Sequence, residues 1–319
     1  MERRGIRAFG IVAMLASVMA LSGCELPSSP ATSLPPQARP DGLAKPAPAA
    51  PSARSEELAR YYRVIQNDLL AQGLLRTDGG GPDTPFSAED LVDDFIAIAF
   101  FEEYSRKNGS TLRGEPGRLS RWSGPVRVGI EFGESVPASI RDKDSASIGS
   151  YVDRLARLTR HSVSVVRSNP NFFIVVAGED DRAALQGRLK TLIPTISRSE
   201  LDLFANLPRS YYCLVVGVAG GKSDYDYTRA VALIRAEHPD LVRLSCVHEE
   251  IAQGLGLPND SPDARPSIFN DDDEFALLTN HDEMLLKILY DPRLTPGMTA
   301  EEARPIALVI ARELMGQDA

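Results

Sequence analysis

Glu249-Glu250-Ile251-Ala252-Gln253-Gly254-Leu255-Gly256-Leu257-Pro258-Asn259-Asp260 is the stretch whose reading decides the fold. Glu249 and Gln253 stand four residues apart, so on a helix their side chains share one face. Gly256 then lets the chain break out of the helix, because glycine enters left-handed backbone without a Cβ clash. Asn259 returns three residues later, with Asp260 beside it. The spacing predicts a helix carrying Glu249, Glu250 and Gln253, followed by a glycine turn.

Upstream of that helix the apolar period is two. Val126, Val128, Ile130 and Phe132 alternate with Arg127, Gly129 and Glu131, the mark of a half-buried strand. Ile148, Val152, Leu155 and Leu158 then mark a helix over 147–159, followed by strands at 162–166 and 172–177 and a helix over 181–192. Further strands are expected at 211–218 and 230–234, before a helix beginning near Asp240. Nearer the N-terminus, Leu58, Tyr62, Ile65, Leu69 and Leu70 predict a helix from Ser55 to about Gly73. A second, with Leu91, Phe95, Ile98 and Ala99, is expected to run to about Tyr104. Ser87 and Asp90 are placed to cap its start. This order predicts an α+β domain, a mixed sheet with helices on it, preceded by two helices.

The 249–260 run resembles the metzincin zinc-protease signature, in which two His on a helix and a third after a glycine turn hold zinc while a Glu activates water. Aligning the glycines places Glu249, Gln253 and Asn259 at the three His positions and Glu250 at the general-base position. Phe269, in Ser267-Ile268-Phe269, stands where metzincins have the methionine of the Met-turn. The segment from Leu278 to Tyr290 looks like their C-terminal helix, and the elements from Trp122 onward follow their upper subdomain. The chain also resembles an uncharacterised family of exported bacterial proteins, which shares this run and Ser267-Ile268-Phe269-Asn270-Asp271-Asp272-Asp273. The resemblance implies a zincin-like mixed sheet with an active-site-type helix.

The side chains do not follow the frame. Amide oxygens of Gln253 and Asn259 are weak neutral ligands for zinc, so one carboxylate and two amides disfavour zinc; calcium or another hard divalent ion remains open. Glu250 cannot make hydroxide at neutral pH without a metal. The economical expectation is a non-catalytic binding or scaffolding domain with no cofactor, in which Glu249, Glu250, Gln253, Asn259 and Asp260 line the old substrate cleft. Its partner would be an unknown protein or envelope component pairing with an edge strand. The alternative is an atypical metal-dependent peptidase, with Glu249, Gln253 and Asn259 as ligands and catalytic Glu250 as base. A third reading gives these groups only a structural role.

The 319 residues are 43% hydrophobic and 25% charged, ordinary for a globular chain. There are 35 Lys plus Arg against 44 Asp plus Glu, with no basic stripe, which argues against a nucleic-acid partner. The first 24 residues run from Arg3, Arg4 and Arg7 through an apolar core into Leu21-Ser22-Gly23-Cys24. They resemble a bacterial lipoprotein signal peptide, with cleavage after residue 23 and acylation of Cys24. Glu25 in place of Asp resembles the outer-membrane sorting pattern, so the expected location is the cell envelope, lipid-anchored on the outer membrane and facing the periplasm. Residues 25–54 hold eight Pro and seven Ala, the composition of an extended tether. The expected division is 1–23 signal peptide, 24–54 lipidated cysteine and tether, 55–118 N-terminal helical cap and 119–319 metzincin-like domain.

Cys213 and Cys246 remain. An oxidising compartment favours a disulfide between them, with two buried thiols as the alternative. Gly217 to Ser223 looks like a phosphate loop but has three residues, not four, between Gly217 and Gly221, and so predicts a glycine-rich turn. His248 has Ala252 four residues on and no ligand partner; His161, His238 and His281 are expected to be structural or solvated. Asn270 to Glu274 lacks the glycine and length of a calcium loop and is expected to be a solvated loop or helix start.

Overall fold

The computed structural model describes residues 50–101 and 117–317, except Lys222 and the side chain of Ala205. The leader, Cys24 and the tether up to residue 49 lie outside those residues, and the second helix, expected to run to about Tyr104, ends at Ala99, with Phe100 as its C-cap. No described helix is long and apolar enough to cross a membrane.

The alternating residues from Val126 form strand β1 (Val126–Phe132). It belongs to a five-stranded sheet with β2 (Val163–Val165), β3 (Phe172–Ala177), β4 (Cys213–Ala219) and β5 (Tyr227–Arg235), in the order β2-β1-β3-β5-β4. The first four strands of that order are parallel, and β4 closes one edge antiparallel to β5. Every residue of the central strand β3 is buried, which is why it reads as an unbroken apolar run. Phe172, Ile174 and Val176 enter the main core, while Phe173, Val175 and Ala177 enter a second core on the opposite face. The same alternation sends Ala230, Ala232 and Ile234 of β5 to the first core and Val231 and Leu233 to the second.

Eight helices accompany the sheet among the described residues: α1 (Ala53–Ala71), α2 (Ala88–Ala99), α3 (Ala138–Thr159), α4 (Arg182–Leu192), α5 (Arg198–Ala205), α6 (Asp240–Gly256), α7 (Asn280–Leu289) and α8 (Ala300–Leu314). The fold is thus mixed α+β. α4 and α5 cover the second core; α2, α3, α6, α7 and α8 build the first. The capping box expected at Ser87 and Asp90 is present. α2 packs against α7 and α8, and its Leu91, Phe95 and Ile98 share the main core with the sheet.

Several elements depart from their expected bounds. α1 starts at Ala53 because Ser52, not Ser55, is the cap: the Ser52 hydroxyl accepts from the Ser55 amide. α3 starts at Ala138 rather than near Ser147. Its first turns are too polar to show an apolar period. They dock through the buried Asp144, whose carboxylate accepts from Arg243 on α6 at 2.7 and 3.1 Å. Gly217 to Ser223 forms no phosphate loop; β4 turns through Gly220 and Gly221 directly into β5.

A second buried ionic cluster ties α2 to α7. His281 is fully buried with Nε2 3.0 Å from Asp94 on α2 and Nδ1 3.8 Å from Asp282. Phe86 packs edge-on against its ring. Asp282 also accepts from the Ser267 hydroxyl at 2.6 Å and the Ile268 amide at 3.1 Å, so the same carboxylate pins the loop after α6. Burial alone would pull the His281 pKa down, but Asp282 and Asp94 outweigh it and push it up to about 9. The folded state therefore binds a proton that the unfolded chain, with an ordinary value of 6.5, releases earlier. The imidazolium's stabilisation is complete below pH 6.5 and is lost as pH rises through about 9. It amounts to roughly 3 kcal/mol. Thermal melts from pH 6 to pH 10 should show this loss, and His281→Gln should flatten the slope; an unchanged slope in that variant would assign the pH dependence elsewhere.

Candidate functional site

The site begins with how closely α6 lies on the sheet. A Cβ at Gly254 would meet the Phe172 ring of β3 at 2.3 Å, so only glycine permits this approach. The Gly254 carbonyl accepts from Trp122 Nε1 at 2.8 Å. The helix ends at Gly256, with φ +129° and the Ser120 carbonyl oxygen 2.5 Å from where a Cβ would stand. The glycine turn read from the sequence is thus present. A disulfide joins Cys213 at the start of β4 to Cys246 on α6, as the cysteine arithmetic favoured.

Between these two elements lies a cleft of about 540 Å³. One side carries Cys213, Leu214, Val215 and Gly217 of β4, with Tyr227 of β5. The other carries Ser245, Glu249, Glu250 and Gln253 of α6. Ile268 and Phe275, from the long segment between α6 and α7, line it as well. That segment is stitched down by the Ser261 amide donating to the Phe269 carbonyl and by the Asn270 amide donating to the carbonyls of Pro262 and Ala264. Phe269, at the Met-turn position, is fully buried in the main core.

The structure brings together four of the five residues read as binding groups. Glu249, Glu250, Gln253 and Asp260 all line the cleft, and Gln253 Nε2 donates to Asp260 Oδ1 at 3.2 Å. Glu250 and Gln253 are almost wholly buried. Asn259 does not join them: its side chain donates to the Ala97 carbonyl at 2.9 Å and its backbone amide to the Ile98 carbonyl, capping the end of α2. Spacing along the chain could not show this, because α2 is remote in sequence.

The acidic stretch after Phe269 is a turn with Asp271 and Asp272 exposed, as the reading of a solvated loop or helix start allowed, and part of it also lines the cleft. Asn270, Asp271 and Asp273 line it. Asp273 has left-handed backbone, φ 57°, and burial, with the neighbouring charges of Asp272 and Asp271, raises its carboxyl above the usual range. Glu274 turns away to pair with Arg265 and Arg76.

The four histidines lie elsewhere. His248 stacks on Tyr151 at 3.9 Å, accepts the Leu278 amide on Nδ1 at 3.1 Å, and is pulled down to about 3 by burial and the Arg154 charge. His238, buried against Tyr62, is likewise pulled down to about 3, by burial first. His161 bonds to the Gly124 carbonyl, and His281 sits between its two aspartates.

Among the described residues no three His, Cys, Asp or Glu side chains converge as a metal-holding group. With Asn259 capping α2 and Gln253 engaged with Asp260, the residues present do not fit a zinc centre of the metzincin kind. The cleft's described lining offers carboxylates, hydroxyls and the amides of Gln253 and Asn270, and its cysteine is in the disulfide. It presents hydrogen-bond acceptors and negative charge to a ligand.

Fold and cleft define an α+β protein with an acidic groove between an edge strand and a buried helix. The chain belongs to the family described as Protein of unknown function (DUF2927), which matches residues 88–308. No curated protein and no solved structure matches it.

The disulfide holds the two sides of the cleft together across 33 residues of sequence. Replacing both Cys213 and Cys246 by Ala should cost roughly 3 to 4 kcal/mol and lower Tm by about 10 °C. Melting with and without reductant checks this. A wild-type Tm that ignores reductant, while both thiols become titratable, would show that the bond adds no stability.

Proposed function

We propose that this is a lipid-anchored envelope protein whose metzincin-like domain binds an extended polypeptide without cleaving it. The observation that carries the binding reading is the position of β4. It is the antiparallel edge strand of the described sheet, and its residues line the cleft opposite α6. An extended segment can add to such an edge through main-chain hydrogen bonds and place alternate side chains in the cleft.

The metzincin-like reading draws support from the same arrangement. A mixed five-stranded sheet with one antiparallel edge, a helix bearing the Glu249 frame, a glycine turn and a buried Phe269 ahead of α7 follow one another in the order the resemblance implies. The donor set argues against zinc catalysis. Glu250 is held on α6 with Gln253, which engages Asp260, and among the described residues the lining has no His, Lys or Arg to steady a developing oxyanion.

The purified chain, with and without added zinc, calcium or manganese, should leave a fluorogenic peptide library intact, and Glu250→Gln should keep its fold. Cleavage by the wild type that is abolished in Glu250→Gln would replace this reading with that of an atypical peptidase.

The anchoring reading rests on the leader ending at Leu21-Ser22-Gly23-Cys24, and the Pro-rich stretch after it would carry the domain away from the bilayer. Expressed in a bacterium fed radiolabelled palmitate, the chain should take up label and fractionate with membranes. Cys24→Ser should do neither. Label retained in Cys24→Ser would sink the lipoprotein assignment.

A further inference from the structure

We propose that the Cys213–Cys246 disulfide is a redox-sensitive clasp: a dithiol reductant entering the cleft opens it at Cys213, and its loss frees β4 from α6 while the rest of the fold stays closed. Such a clasp would act on the cleft whatever the cleft binds. The two cysteines differ in access. Cys213 is the first residue of β4, is partly exposed and lines the cleft. Cys246 lies within α6, 2% exposed, in the main core. Exchange requires a thiolate to reach one sulfur of the pair, and burial shields Cys246. The attack therefore falls on Cys213: a bond forms between the reductant's sulfur and Cys213 Sγ, and the bond to Cys246 breaks with its electron pair on Cys246 Sγ. That thiolate, in apolar surroundings, takes the proton of the reductant's second thiol. The second sulfur then attacks the first, closing the reductant into a cyclic disulfide and releasing Cys213 as a thiolate that is protonated from water. The dithiol is oxidised and both cysteines are reduced.

The two elements that the bond joins are held unequally. α6 has several anchors besides Cys246. Trp122 Nε1 donates to the Gly254 carbonyl, the Tyr151 and Tyr290 hydroxyls donate to the His248 and Leu255 carbonyls, and Arg243 is paired with the buried Asp144. β4 lies at the edge of the described sheet, and of its seven residues only Leu214 is buried, whereas β5 beside it is buried from Ala230 to Arg235. By register Cys213, Val215 and Gly217 stand opposite Ile234, Ala232 and Ala230, the residues of β5 that enter the main core, so these three share the α6 side of the sheet. Apart from the disulfide, β4 thus offers α6 one valine side chain and a glycine. At its other end the register with β5 shifts between Val218 and Ala219. An element with so little buried side-chain surface opens at a lower free energy than the core around it, so breaking the bond loosens β4 and leaves α6 seated.

The test uses the full chain in non-ionic detergent, with dithiothreitol as the dithiol and glutathione as the mapping thiol. A short glutathione pulse, quenched with N-ethylmaleimide in denaturant and read by peptide mass spectrometry, should leave glutathione on Cys213 and the maleimide on Cys246. Under dithiothreitol without denaturant, amide hydrogen exchange over β4 should speed at least about tenfold, while exchange over α6 and β3 changes by less than about twofold. Cys213→Ser/Cys246→Ser should show the same fast exchange in β4 with no reductant and still melt in one cooperative transition. Glutathione found chiefly on Cys246 would overturn the proposal, as would a bond that dithiothreitol leaves intact. Exchange in β4 that reduction does not change would show that the bond is no clasp. Exchange that rises equally in β4, α6 and β3 on reduction, or a double variant that does not fold, would make the bond a requirement of the whole fold and overturn the proposal as well.

Discussion

The close seat of α6 on the sheet is the constraint on which the remaining architecture depends. Gly254 lets the helix lie directly on the Phe172 ring, and Trp122 reaches across to bond the Gly254 carbonyl. Other groups hold the helix from its remaining sides. The Tyr151 hydroxyl donates to the His248 carbonyl at 2.8 Å, the Tyr290 hydroxyl donates to the Leu255 carbonyl at 2.9 Å, and Asp144 holds Arg243. Any side chain at Gly254 would lift the helix, change the spacing to β4 that the disulfide bridges, and widen the cleft. The position of Glu249, Glu250 and Gln253 thus depends on a glycine.

Charge is sorted in two ways across the molecule. Inside the core it is paired: Asp144 with Arg243, and Asp94 and Asp282 with the imidazolium of His281. A buried charge stripped of such a partner costs several kcal/mol. At the cleft the Asp273 carboxyl is raised, by burial first and then by the charges of Asp272 and Asp271. The distinction is local. Glu274, next to Asp273, is neutralised by two arginines and lies outside the cleft.

Much of this was legible in the sequence where one face of an element is simple. The alternation in β1, the unbroken apolar run of β3, the cap at Ser87, the break at Gly256 and the pairing of Cys213 with Cys246 all follow from period, turn chemistry or counting. What was hidden depends on distant partners. The first turns of α3 are held by an ion pair to α6 rather than by an apolar stripe, and Asn259 serves α2, more than 150 positions earlier in the chain. α8 carries its buried face largely on alanine, Ala303, Ala307 and Ala311, a weak hydrophobic signal that becomes strong only when α2 lies against it. The acidic run from Asp271 is solvated at Asp271 and Asp272, as it looks in the sequence; that Asp271 and Asp273 also border the cleft depends on the loop before them, which Asp282 pins through Ser267 and Ile268.

A purely structural role for the residues on the cleft side of α6 sits poorly with this packing. If Glu250 and Gln253 served only to complete an interior, apolar side chains could fill the same space without the desolvation cost that a carboxylate exposed to only 3% incurs. Instead about 540 Å³ stays open against an edge strand, and the helix that bounds it is covalently tied to that strand. Burial holds Glu250 in one place and the disulfide holds β4 at one distance from it. Both features cost conformational freedom, and both act on the geometry between backbone edge and carboxylate, the quantity that matters when an extended chain is recognised by its main chain and its side chains together.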